Sequence, residues 1–351
     1  MLARWTAALT LVFGLFSSGC DAGSSTLQGP KGDPTDQGSD DDLGADDGLA
    51  PTPVAVNGHL KVVDTQLQNE HGEAVQLKGV SSMWLNWEDD GFAESATALR
   101  WLRNNWKLKV IRAAMGVEPD GAYLASQATA KAQVYQIVDN AIAAGVYVIV
   151  DWHDHHAIDH QAQAVEFFSE VAKKYSGVPN VIYETFNEPI GVSWTALKAY
   201  HEAVVAAIRA QDEEAPIVLG TPNYSQGVDE AAGDPVAGSN LLYTLHYYAC
   251  DHKAALRQKG DVALARHAAL FVTEWGATAA DGGIDGKVCL DESQAWDDWL
   301  TERKISWTAW KLDGCEPDAS CLLVPGAPVD GGWTDQYLHG HATFVRGRMQ
   351  K

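Results

Sequence analysis

The sequence predicts an α/β fold, a (β/α)8 TIM barrel with a short N-terminal β-hairpin. Three observations carry it. Short runs that are apolar throughout recur along the chain, as strands covered on both faces must be. Stretches with helical spacing of apolar residues separate most of them. The portion beyond residue 54 has the length that eight such units need.

The hairpin comes first, in "HLKVVDTQLQNEHGEAVQLKGVS", with a turn expected near His71-Gly72 before the chain enters a buried strand. Counting "AVQLKGVS" as the first barrel strand, the others are "VIRAAM" (110–115), "VYVIVDW" (146–152), "NVIYETF" (180–186), "PIVLG" (216–220), "NLLYTLHYY" (240–248), "ALFVTEWG" (269–276) and "ISWTAW" (305–310). Helical patterns lie between them in "AKAQVYQIVDNAIAAG", "AVEFFSEVAKKY", "LKAYHEAVVAAIRAQD" and "QAWDDWLTERK", and "TDQYLHGHATFVRGRM" closes the chain as a helix. A doubly wound open sheet is the alternative. However, no Gly-rich phosphate loop follows an early strand.

Residues 1–20, "MLARWTAALTLVFGLFSSGC", combine an arginine, an apolar run too short to cross a bilayer, and small residues before Cys20. They read as an export signal, so the protein is expected to be secreted or to be an outer-surface lipoprotein of a bacterium. The Gly-Cys ending resembles bacterial lipoprotein signals, which would give a lipid anchor through Cys20. Ser17 stands where that pattern has leucine, so simple cleavage is the other reading. Residues 21–53 are rich in Gly, Asp, Ser and Pro and contain no aromatic residue, which makes them a flexible acidic linker. Residues 54–351 are expected to form the barrel domain.

The net charge is -22, and the first 53 residues hold eight acidic and two basic residues of that balance. An acidic domain repels nucleic acid and suits a neutral or cationic substrate. The four cysteines beyond Cys20 fit disulfides in an exported chain, in three pairings. Cys315 with Cys321, and Cys250 with Cys289, is the favoured one. A zinc site is the alternative, but close CxxC pairs are lacking.

In a barrel of this kind the working groups collect where strands end. The first strand leads to Trp87, the second carries Arg112, the third ends in Asp151, Trp152 and His153, and the fourth delivers Asn187 and Glu188. The sixth gives His246 and Tyr248, the seventh Glu274 and Trp275, the eighth Trp310. Singly, each has an ordinary explanation in core packing or a solvated turn. Together they make a cleft with two glutamates facing across it. That is what glycosidic cleavage needs: one carboxyl protonates the leaving oxygen while the other attacks or activates water.

The motifs "YETFNEPIG" and "FVTEWGAT", with "QLKGVSS", "VIRAAM", "YVIVDWH", "TLHYYA" and "ISWTAWKL", resemble glycoside hydrolase family 5, most closely its bacterial endoglucanase branch. The resemblance implies a retaining endo-acting hydrolase of β-1,4-glucosidic bonds in cellulose or related β-glucan, working as a monomer without cofactor or metal. Glu188 would be the general acid/base, protonated until it donates, and Glu274 the nucleophile. Asn187 would donate to the sugar 2-hydroxyl, Arg112 would hold Glu274 ionised, and Tyr248 would hydrogen-bond it. His153 and His246 would line the reacting subsite, with Trp87, Tyr224 and Trp310 stacking on sugar rings.

The chain departs from the family pattern at Met83 in "SSMWLNW", at Gly116 after "RAAM", at Tyr224, and at Cys315, which falls about where the family places a substrate-binding lysine. These lie on the flanks of the cleft and bear on substrate preference, including β-mannan or xylan as alternatives. Two other classes compete. "DWHDHHAIDH", with His153, His155, His156 and His160, and Asp313 farther on, suggests a metal-dependent amidohydrolase-type barrel. A non-catalytic carbohydrate-binding barrel is the third reading.

Overall fold

The computed structural model describes residues 50–351. The export signal and nearly all of the linker lie outside the described residues. Helix α1 (Pro53–Asn57) opens with Thr52 as its cap, the hydroxyl accepting from the Ala55 N–H at 3.2 Å. The last residues of the stretch read as linker, Thr52 and Pro53, thus belong to the cap and first turn of this helix.

Strands β1 (Lys61–Val63) and β2 (Gln66–Gln68) form the hairpin, with Val63 opposite Gln66. Its turn is therefore Asp64-Thr65, not His71-Gly72 as expected. Asp64 adopts φ 54°, a left-handed conformation that a short polar side chain tolerates. The expected glycine turn also exists, with Gly72 at φ 81°, but beyond it only a single bridge, Gln68 to Ala74, continues the pairing.

The barrel strands are β3 (Lys78–Ser82), β4 (Val110–Gly116), β5 (Tyr147–His153), β6 (Val181–Glu184), β7 (Ile217–Leu219), β8 (Leu241–Thr244), β10 (Leu270–Gly276) and β11 (Ser306–Leu312). All pair in parallel, and β11 closes the ring by pairing with both β3 and β10. The run 240–248 is not one strand. It breaks at Leu245-His246, and Tyr247–Tyr248 forms a separate β9 beside β10.

Strand alternation sorts each strand into tiers. In β4, Ile111, Ala113 and Met115 pack outward in the large core under the helices. Inward-facing Val110 joins a lower cluster with Tyr147, Ile149, Ile182, Val218, Leu242 and Phe271. Arg112 lies one tier higher, and Ala114 reaches the mouth beside Tyr248 and Trp310. Leu60 and Leu67 of the hairpin region pack into the lower cluster and close the barrel's floor.

The four patterned helices form as α3 (Gln127–Ala144), α4 (Gln161–Lys174), α5 (Trp194–Arg209) and α9 (Leu290–Glu302). Helices α2 (Ala96–Asn105) and α8 (Ala254–Ala265) complete the cover along with two short pieces after β7, α6 (Pro222–Ser225) and α7 (Val228–Ala231). The closing segment divides into a 3-10 turn at Asp335–Tyr337 and α10 (Ala342–Met349), separated by Gly340 at φ 50°. Both expected disulfides form, Cys250–Cys289 and Cys315–Cys321.

At Gly79 in β3, a Cβ would overlap the Val110 carbonyl oxygen of the neighbouring strand. Gly79→Ala is expected to destabilise the domain by roughly 3 kcal/mol or more, through backbone displacement in a packed sheet. At Gly72 nothing lies within 4 Å of the corresponding position. Gly72→Ala should cost only about 1 kcal/mol, from its left-handed backbone. Thermal unfolding of the two variants measures the difference.

Candidate active site

The mouth of the barrel rests on an ionic layer built around Arg112, which is fully buried. Its Nε donates to Glu184 Oε2 at 2.7 Å, Nη1 to Glu274 Oε2 at 2.9 Å, and Nη2 to Asn187 Oδ1 at 2.6 Å, while Asp151 Oδ2 lies 3.0 Å from Nη2. Pairing accounts for these positions: β4 places Arg112 inward, and β5 and β6 bring Asp151 and Glu184 opposite each other. Burial would weaken the cation's hold on its proton, but the three carboxylates reverse this and raise its pKa. Burial pushes Asp151 up to about 7 and raises Glu184, with Arg112 opposing both.

Glu274 reaches the cleft through an irregularity in β10, whose register with β11 shifts between Val272 and Trp275. Such a bulge re-aims side chains at barrel rims. The Tyr248 hydroxyl donates to Glu274 Oε1 at 2.7 Å, so each carboxylate oxygen has its own donor.

Glu188 faces Glu274. One oxygen of each, together with a nitrogen of His246, lie within 4.8 Å of one another. Glu188 Oε1 is 3.0 Å from His246 Nδ1, and Oε2 is 3.4 Å from His155 Nε2. Burial would raise the Glu188 pKa, but hydrogen bonds from the two imidazoles outweigh it and bring the carboxyl to about 2. His155 is raised in return, chiefly by its contact with Glu188. In His246 burial acts downward, yet Glu188 and Glu274 raise it overall. The two imidazole contacts thus favour the carboxylate form of Glu188, against the protonated acid expected from the sequence.

His153 is buried, and its Nδ1 lies 2.7 Å from Asp151 Oδ2. Burial, followed by the charge of Arg112, lowers its pKa far below the usual histidine value. A neutral ring donating from Nδ1 leaves Nε2 to accept from Asn187 Nδ2, 3.4 Å away. Trp310 lies parallel to this ring at 5.4 Å and is itself buried, whereas Trp87 and Tyr224 are about half exposed. Asn223, Tyr224 and Ser225 all adopt positive φ, near 55°, which is unusual for three consecutive non-glycine residues. This turn supports both sides of the acid: Ser225 Oγ donates to the Asn187 carbonyl at 2.6 Å, and the His246 N–H donates to the Ser225 carbonyl at 2.9 Å.

All ten candidate residues border this one cleft or the ionic layer beneath it. Reasoning from strand ends passed over Glu184, Thr273, Trp84 and the part played by His155. A signal existed for Glu184, a charged residue inside an apolar run, four positions before Glu188. Thr273 links His246 Nε2, at 2.9 Å, to Glu184. The residues of the amidohydrolase alternative do not meet at one centre, although His156 and His160 both lie near Glu118. His153 turns to Asp151, His155 to Glu188, His156 to Glu118 and His160 to Asp154, while Asp313 sits with Lys311 and the Cys315–Cys321 pair.

The model of the cellulase family, glycosyl hydrolase family 5, matches residues 68–316. Endoglucanase N of Pectobacterium atrosepticum is 40% identical over 86% of this chain and 68% of its own length. An endoglucanase of Clostridium saccharobutylicum is 41% identical over 84% and 65%. The chain therefore spans about two thirds of these relatives. A Cytophaga hutchinsonii structure superposes with a TM-score of 0.82 at 41% identity, covering 86% of this chain and 97% of that one. The catalytic domain of Thermobifida fusca endoglucanase Cel5A gives 0.81 at 33% identity, with 86% and 100% covered, and a variant of it was solved in complex with cellotetraose. With the family pattern spanning most of the barrel and both glutamates inside it, the chain belongs to glycosyl hydrolase family 5, the cellulase family.

Proposed function

We propose that the protein is a retaining endo-β-1,4-glucanase that cleaves cellulose or a related β-glucan by double displacement. The observation that carries this reading is the approach of Glu188 and Glu274 to within 4.8 Å. Retaining enzymes hold their carboxyl groups about 5 to 5.5 Å apart, whereas inverting ones leave about 6.5 to 9.5 Å for a water. Glu274 attacks the anomeric carbon as Glu188 passes a proton to the departing glycosidic oxygen. Glu188 then takes a proton from water, whose oxygen displaces Glu274.

The surroundings suit this division. Tyr248 and Arg112 fix the two oxygens of Glu274 for attack. The imidazoles of His155 and His246 flank the two oxygens of Glu188, fixing the carboxyl and stabilising the charge it carries once the proton has left. Asn187, oriented by Arg112 and His153, lies beside the acid to receive the sugar 2-hydroxyl. The exposed rings of Trp87 and Tyr224 offer faces to the C–H surfaces of β-linked glucose, with Trp310 lining the wall between. Cellulose-type chains are supported by the endoglucanase names of the relatives and by the cellotetraose complex of the Thermobifida protein. Export and action as a monomer belong to the same proposal, export resting on the sequence of residues 1–20.

Glu188→Gln and Glu274→Gln should each lower turnover on soluble glucan at least about 1,000-fold without unfolding the domain. Azide should rescue Glu274→Ala with inverted anomeric configuration; wild-type activity in either glutamine variant would refute the assignment. Arg112→Lys should abolish activity and destabilise the domain by about 3 to 5 kcal/mol, because it leaves buried carboxylates unpaired. This is read from chemical denaturation. Hydrolysis of carboxymethylcellulose should be unaffected by EDTA, and a loss restored by zinc would favour the metal-dependent reading instead.

A further inference from the structure

The two oxygens of Glu188 have unequal partners. Oε1 meets His246, a buried ring pinned on its far side by Thr273 Oγ1 at 2.9 Å. Oε2 meets His155 at the longer distance of 3.4 Å, and the His155 side chain is 29% exposed. Oε2 thus has the more distant and the more exposed of the two partners.

His155 is seated with some care. Its ring stacks on Trp84 at 5.8 Å and meets Tyr224 edge-on at 6.4 Å. Its backbone carbonyl accepts from the Ile190 N–H, and the Glu188 N–H donates to the Asp154 carbonyl, which laces the two loops together. Trp84 stacks on Trp87 at 4.9 Å and lies beside Gly116, where a Cβ would overlap Asn86 Oδ1 and come within 3.0 Å of the indole.

We propose that His155, braced by Trp84, is a positioning residue that aims the proton-donating oxygen of Glu188 and stabilises the carboxylate formed when the proton leaves. This rests on the reading of Glu188 as the acid/base. In the first step the Oε2–H bond breaks and its proton goes to the glycosidic oxygen. The electron pair of the C–O bond departs with the leaving sugar, and Glu274 bonds to the anomeric carbon. The new charge on Glu188 forms next to the His155 N–H. In the second step a water proton returns to Glu188, the water oxygen takes the anomeric carbon, and Glu274 is released. His155 ends as it began.

The test is kcat/KM for aryl β-cellobiosides whose leaving groups run from dinitrophenol, which departs without protonation, to unsubstituted phenol, which does not. Loss of a hydrogen bond to a charged group should lower the phenyl value about 10- to 100-fold in His155→Ala and leave the dinitrophenyl value nearly unchanged. Trp84→Ala should act in the same direction less strongly, and His155→Gln, which keeps a donor, should recover part of the loss. Equal losses across the series, or none, would overturn the proposal and leave His155 a packing residue. Glu188→Gln on the same series separates the two claims. If it hydrolyses the phenyl substrate normally, the acid/base reading itself fails; if it is impaired while His155→Ala keeps the wild-type dependence, only the role of His155 fails.

Discussion

A single guanidinium inside the barrel organises everything above it. Arg112 sits among Asp151, Glu184 and Glu274, where neither the cation nor the anions have water to solvate them. Buried charges of this kind persist only when each is paired and hydrogen-bonded, so the layer is stable as a unit and intolerant of partial loss. Because its donors form a rigid fork, the positions of Glu274 and Asn187 are fixed by the same group. The apolar tier below gives that fork a firm base, and the aromatic mouth above surrounds the carboxylates it presents.

The two glutamates are chemically identical but are given different surroundings by their neighbours. Glu274 is met by a phenol and by the guanidinium, donors that hold it in place and add no mobile proton at neutral pH. Glu188 is met by imidazoles, the side chains that exchange protons in that range. The difference in surroundings thus follows from which strand ends converge on each carboxyl. Closure of the ring brings Glu188, after β6, within reach of His246, beyond β8, and of Glu274 on β10.

Much of this was legible in the sequence. Eight apolar runs gave the barrel, since a strand covered on both faces leaves a simple trace, and polar residues at the ends of those runs gave the cleft. What escaped detection depended on three-dimensional neighbours. The hairpin turn fell at Asp64-Thr65, a pair without glycine, where Asp64 itself takes the left-handed conformation. Glu184 was hidden within a strand that otherwise reads as apolar core. His155 lay in a histidine-rich loop that looked like a metal motif or a solvated turn, and only the fold shows its ring against Glu188. Gly116 looked like a missing aromatic, whereas in the structure the Asn86 side chain, with the Trp84 indole beside it, takes the space a Cβ would need.

The hairpin that seals the base of the barrel also fixes which way the molecule faces. The described chain starts at that sealed end, where α1 is tied to the backbone at Gly145, and the cleft opens at the other. With the floor closed by Leu60 and Leu67, the mouth is the open end of the barrel, and a long chain can lie across it without meeting the hairpin.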